Sequence, residues 1–135
     1  MRAILFRGKI DPDAYSHDRK SEWVYGYYTR YSVIFFGRSV IEQEKDDYAV
    51  LDDTVCQYTG LNDKNGTEIF EKDIVETNQY QQSVGTNIFT IEFVEGNYYL
   101  CHDGCTLWTL RSFIDEVEVI GNIFDNPELL KEVKE

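Results

Sequence analysis

The stretch Asn87-Ile88-Phe89-Thr90-Ile91-Glu92-Phe93-Val94-Glu95-Gly96-Asn97-Tyr98-Tyr99-Leu100-Cys101-His102 decides how this chain folds. In its first half Phe89, Ile91 and Phe93 face one way and Ile88, Thr90 and Glu92 the other, the two-residue period of a strand. Glu95-Gly96-Asn97 supplies turn chemistry, and Tyr98–His102 is a second short apolar run. Together they predict a β-hairpin.

Downstream, Asp103-Gly104 marks another turn, Leu107–Ile114 fits either a strand or a single helical turn, and Val117–Phe124 alternates with Val117, Val119 and Ile123 on one side. Upstream, Asn65-Gly66 tolerates positive φ at both central positions of a tight hairpin turn, so Thr59–Thr67 turns into a strand over Glu68–Thr77. Trp23–Tyr28 reads as a strand with Trp23, Tyr25 and Tyr27 on one face, and Tyr31–Ile41 returns antiparallel to it. A charged turn over Glu42–Asp47 leads to a weak strand at Tyr48–Leu51. Arg2–Arg7 opens the chain as a strand, and Gly8–Glu22 is an exposed loop.

At the far end Asn126 caps, Pro127 takes the first helical position and Glu128 meets the helix dipole. The helix expected over Pro127–Lys134 is shorter than the ~12 residues an isolated helix needs, so Leu129, Leu130 and Val133 must dock. The fold read from these signals is mainly β: a small SH3-like barrel over residues 61–124, a β-extension over 1–60 and a terminal helix over 125–135, within one domain spanning 1–135.

Charge narrows the partners. Residues 1–60 carry 8 basic and 10 acidic side chains, whereas residues 61–135 carry 5 and 15, so a net −10 of the total −12 lies in the second part. Phosphate backbones reward clustered Lys and Arg, and nucleic acid is therefore a disfavoured partner for that part. The apolar run Ala3–Phe6 is too short for a signal-peptide core, and no stretch approaches the ~18 apolar residues of a membrane span. Three cysteines, Cys56, Cys101 and Cys105, are an odd number in a chain able to build a core without staples, which predicts reduced thiols and a cytoplasmic setting.

The run Cys56-Gln57-Tyr58-Thr59-Gly60-Leu61-Asn62-Asp63-Lys64-Asn65-Gly66-Thr67-Glu68-Ile69-Phe70-Glu71-Lys72-Asp73-Ile74-Val75 resembles the central signature of the YopX family of phage and prophage proteins. Arg2-Ala3, Trp23-Val24-Tyr25-Gly26 and Ile120-Gly121-Asn122-Ile123-Phe124-Asp125-Asn126-Pro127-Glu128-Leu129-Leu130 resemble its outer motifs in the same order. Lys72 departs from the pattern, which usually has Gly before the Asp. The resemblance implies a phage-borne protein of the host bacterial cytoplasm that contains a β-barrel and assembles into homo-oligomers; it brings no catalytic residue and no cofactor. Physically, the signature reads as structure. Gly60 and Gly66 supply turns, Leu61 and Ile69 pack, Asp63 and Asn65 hold a turn, Asp73 follows it, Gly121 and Asn122 let a strand bend, and Asn126-Pro127 starts the helix.

Candidates for chemistry fail on register. Asp63, Asn65 and Gly66 match the third, fifth and sixth positions of a calcium loop, but Leu61 and Lys72 then fall at its first and twelfth, where carboxylates are needed. Cys101, His102 and Cys105, with Cys56, offer soft ligands, yet Cys101 and His102 are adjacent on a strand and point to opposite faces. Paired carboxylates at Asp46-Asp47, Asp52-Asp53 and Asp115-Glu116 diverge similarly, and no phosphate-loop, nucleophile-elbow or zinc-protease motif is present. With His17 and His102 as the only histidines, no catalytic or metal site is expected.

One surface remains. Trp23, Tyr25 and Tyr27 with Arg30 form an aromatic stretch that packs a core or an interface, or that stacks bases. The expectation drawn from all of this is a non-catalytic, self-associating protein-interaction module whose acidic surface meets a basic host or phage protein. A nucleic-acid-associated protein reading through those aromatics is the first alternative, and a metal-dependent enzyme the second.

Overall fold

The computed structural model describes residues 5–16, 19–30, 38–43 and 46–130. Arg2–Ile4, His17, most of the expected return strand (31–37) and the helical residues 131–134 lie outside them. The chain divides into two compact units, Met1–Tyr58 and Thr59–Glu135.

In the first unit the antiparallel order is β4-β3-β2-β1-β5, with β1 Phe6–Lys9, β2 Trp23–Thr29, β3 Val40–Glu42, β4 Asp47–Ala49 and the start of β5 Cys56–Asn62. The expected first strand is displaced: it runs on through Gly8 and Lys9, and Ile10, read as loop, is fully buried and bridges Val50. Ile10 joins Val24, Ile41 and Val50 in a core flanked by Phe6, Tyr15, Tyr48 and Val55. Apolar residues from both flanks of the Gly8–Glu22 segment thus close over one sheet face, each full burial contributing about 1.5–3 kcal/mol.

The second unit pairs the rest of β5 with β6 Glu68–Phe70, and carries a five-stranded antiparallel sheet in the order β10-β9-β8-β7-β11. These strands are β7 Asp73–Gln81, β8 Thr86–Val94, β9 Asn97–His102, β10 Cys105–Thr109 and β11 Val117–Asn122. The hairpin expected over 87–102 is present, Ile91 facing Leu100 and Phe93 facing Tyr98. Its two-residue turn has positive φ at both Glu95 (47°) and Gly96 (88°), and Asp103-Gly104 repeats the pattern at 51° and 78°. Phe89, Ile91, Leu100, Val75, Val117, Ile69 and Leu110 form the core, whereas Phe93 at the strand's end is 52% exposed.

Four further sequence expectations change. No closed barrel is found among the described residues: after β10 the chain enters a 3₁₀ turn at Leu110–Phe113, β10 and β11 are left at opposite ends of the sheet, and a turn from β5–β6 occupies the outer edge of β11. No terminal helix is seen among the described residues; Pro127–Leu130 is a single 3₁₀ turn. Asn126, the expected cap, instead accepts the Asn122 amide through Oδ1 at 3.2 Å. The strand expected over Glu68–Thr77 breaks at Lys72, which sits at φ 68°. Finally, Asn65-Gly66 is not a two-residue hairpin turn: only Gly66 has positive φ (85°), within a longer loop closed by Asp63 and Thr67.

Candidate interaction surface

Cross-strand register assembles a row on the first unit that runs from buried Arg7 to the exposed rings of Tyr25 and Tyr27. Trp23, Tyr25 and Tyr27 alternate along β2 and share a face. Directly opposite them on β1 stand Lys9 (against Trp23) and Arg7 (against Tyr25). On the other side Tyr27 faces Glu42 of β3, and Glu42 faces Asp47 of β4. Residues paired this way lie on one face of the sheet.

The two ends of the row differ in chemistry. Arg7 Cζ lies 4.5 Å from the centre of the Trp23 ring and Lys9 Nζ 5.7 Å, so two cations pack on the indole. At the far end Tyr27 has the Glu42 carboxylate beside it, with Asp47 on the next strand. Tyr25 and Tyr27 are 44% and 67% exposed, which removes the core-packing reading for these two rings. The same unit uses cation–aromatic packing a second time, with Arg19 placed 4.7 Å from the Tyr15 ring and 5.2 Å from that of Tyr48.

Arg30 does not join the row. Its Nη1 lies 3.5 Å from Asp52 Oδ1 and donates to Ser39 Oγ at 3.3 Å. A hydrogen bond with Tyr28, then the charge of Asp52, favour its protonated form. Beside this group Asp11, Arg38, Val50, Leu51, Asp52 and Asp53 surround an open depression of about 460 Å³, in which Arg38 pairs with Asp11 at 3.1 Å. Sequence reasoning missed Arg7, Glu42 and Asp47 as neighbours of the tyrosines. The only signal that could have found them is strand register, which long-range pairing sets.

The signature residues gather into two knots in the second unit. Buried Asp63 accepts the amides of Asn65 and Thr67 through Oδ1, both at 2.9 Å, and that of Val119 through Oδ2 at 2.8 Å. Gly60 (φ 85°) and half-buried Leu61 precede this loop, Asn65 and Gly66 form its exposed tip, and Asp73, 1% exposed, accepts the Phe70 amide at 2.8 Å. In the second knot Asn122 Oδ1 accepts the amides of Phe124 and Asp125, both at 3.0 Å, ahead of Asn126-Pro127. A Cβ on Gly121 would stand 2.4 Å from Asn126 Oδ1, so this close approach needs glycine.

The soft ligands do not converge as a set: only His102 and Cys105 are cross-strand partners. Cys101 is buried with Thr106 opposite it, and Cys105, opposite His102, is exposed. Burial pushes the Cys101 thiol up, away from the reactive thiolate. Among the described residues no group of three or more His, Cys, Asp or Glu is placed to hold a metal ion. Nor, among them, is any helix long and apolar enough to cross a membrane.

Comparison with known proteins agrees with the motifs. The sequence matches the YopX protein family over residues 13–131. The chain belongs to the YopX family. This YopX chain is also similar to the crystal structure of protein EF1440 from Enterococcus faecalis, at 20% identity and a TM-score of 0.49, over 97% of this chain and 100% of that one. No curated protein matches the YopX chain significantly in sequence.

Proposed function

We propose that this YopX-family chain is a phage or prophage accessory protein that acts as a non-catalytic, self-associating protein-interaction module and binds a basic partner. The phage setting and the self-association are carried over from what the family resemblance implies. The observation that supports the binding reading is the Tyr27 end of the row: an aromatic ring 67% open to solvent with Glu42 beside it and Asp47 beyond. An arginine or lysine of a partner stacks on such a ring, as Arg7 does on Trp23 within the unit, and pairs with the carboxylates. The net charge of −12 steers a basic partner toward the chain.

A second reading, single-stranded nucleic acid stacking on Tyr25 and Tyr27, draws on their exposure. Glu42 and Asp47 weigh against it, because a phosphate bound there would meet carboxylates. Calorimetric titration of the protein with an arginine-rich peptide and with single-stranded DNA separates the two. The interaction reading expects peptide binding that weakens with salt and falls about tenfold in Tyr27→Ala. Absent peptide binding, or salt-sensitive DNA binding instead, refutes it. Light scattering across concentrations tests self-association, which a mass fixed at 15.8 kDa would contradict.

A further inference from the structure

We propose that Asn65-Gly66 is a site of spontaneous deamidation whose rate the folded turn controls. It is the only Asn-Gly pair in the sequence. In the reaction the Gly66 amide nitrogen attacks Asn65 Cγ, forming the C–N bond of a succinimide ring. The Gly66 amide proton passes to solvent base while the departing side-chain nitrogen takes up a proton and leaves as ammonia. Water then opens the ring at either carbonyl, giving aspartate or an isoaspartyl linkage. No oxidant, cofactor or second protein is needed.

Two features open the site to this chemistry. Asn65 stands exposed at the loop tip. Nothing lies within 4 Å of the place a Cβ on Gly66 would occupy, so no side chain packs over the α-carbon next to the attacking nitrogen.

Three hydrogen bonds hold the reaction back. The Gly66 amide donates to Asp63 O at 2.9 Å, which ties up the nucleophile. Asn65 Nδ2 donates to Glu118 Oε1 at 3.1 Å, which tethers the electrophile to β11. The Asn65 amide donates to Asp63 Oδ1 at 2.9 Å and fixes the backbone between them. Attack therefore requires the loop to open, and folding sets the rate.

The product alters more than residue 65. Aspartate there faces Glu118 and adds repulsion to an already acidic unit. An isoaspartyl link inserts a methylene between the Asn65 and Thr67 amides, both of which Asp63 Oδ1 now holds. Displacing that carboxylate releases the Val119 amide, and with it the cover on the outer edge of β11. The reaction is a chemical timer that unmasks a strand edge.

The test follows the mass gain of amide-to-acid conversion, and isoaspartate at residue 65, during incubation in mildly alkaline buffer. Wild type is compared folded and in urea, alongside Asn65→Gln and Glu118→Ala, with circular dichroism checking that the variants fold. Folded wild type should deamidate at Asn65 roughly tenfold more slowly than the unfolded chain, which needs an opening cost of only about 1.4 kcal/mol. E118A should speed the folded reaction roughly threefold, and N65Q should abolish it. Equal folded and unfolded rates, a rate unchanged in folded E118A, or conversion elsewhere in the chain with none at Asn65 would each overturn the proposal.

Discussion

Asp63 and Val119 are 56 positions apart in the sequence, yet Asp63 Oδ2 accepts the Val119 amide at 2.8 Å. The other oxygen of the same buried carboxylate holds the amides of Asn65 and Thr67. One side chain thus closes its own loop and seals the edge of β11, where Lys64 adds a bond to Val117 O. The acid is needed because both oxygens accept. Asp63→Ala leaves three amides without this acceptor and should cost about 3 kcal/mol, read from urea unfolding. Asp63→Asn keeps an acceptor for the loop but turns a donor toward Val119, so it should fall between wild type and alanine. An alanine variant within about 0.5 kcal/mol of wild type would show that the knot is decorative.

Gly121 and Asn126 form a second dependent pair. Gly121→Ala forces Asn126 away, since the new methyl would lie 2.4 Å from Oδ1 and 2.9 Å from Cβ, and the bond from the Asn122 amide is lost. The expected cost is about 2 kcal/mol. Asn126→Ala removes most of the clash, so the double variant should be more stable than the sum of the two single costs predicts. Strict additivity in a thermal or urea cycle contradicts the contact.

These two pairs mark where sequence reading ends. The alternation of Phe89 and Ile91 and the turn at Glu95-Gly96 are local, and the hairpin they specify was legible. Closure of a barrel was not, because it depends on whether β10 reaches β11, which no local period records. The 3₁₀ turn at Pro127–Leu130 is a related case. Asn126 has the right chemistry to cap, but its side chain reaches back to Asn122. Among the candidate surface residues, the shared face of Trp23, Tyr25 and Tyr27 followed from strand period alone. That Glu42 stands beside Tyr27 with Asp47 beyond it, and that Arg30 turns to Asp52, depends on register and on loops.

Lys72 offers a test of backbone rather than contact. It occupies φ 68°, a region costly to residues with a Cβ, at the position where the family resemblance implies glycine. Its Nζ lies 2.6 Å from Glu92 Oε1, a pair exposed by 39% and 29% and so of small worth. Lys72→Gly and Lys72→Ala both lose that pair, but only glycine relieves the strain. Glycine should therefore be the more stable by about 1 kcal/mol in urea unfolding, an inversion of its usual standing against alanine. Alanine equal to or above glycine would refute the strain.

The Asp52 carboxylate is held below its ordinary value of 3.8, first by a hydrogen bond from Ser39, against an opposing effect of burial, and then by the charge of Arg30. A depressed folded value means that the ionised form is the one folding favours. Its stabilisation is fully present above the ordinary value and is lost as pH falls through the lower, folded one. The pair is 48% and 64% exposed, so the contribution is small and screened by salt. Asp52→Asn removes the charge at every pH. The gap in urea midpoint between wild type and D52N should be largest near neutral pH at low ionic strength, shrink with added salt, and close as the solution becomes strongly acidic. A gap that widens on acidification would reverse the sign of the linkage and remove Ser39 and Arg30 as its cause.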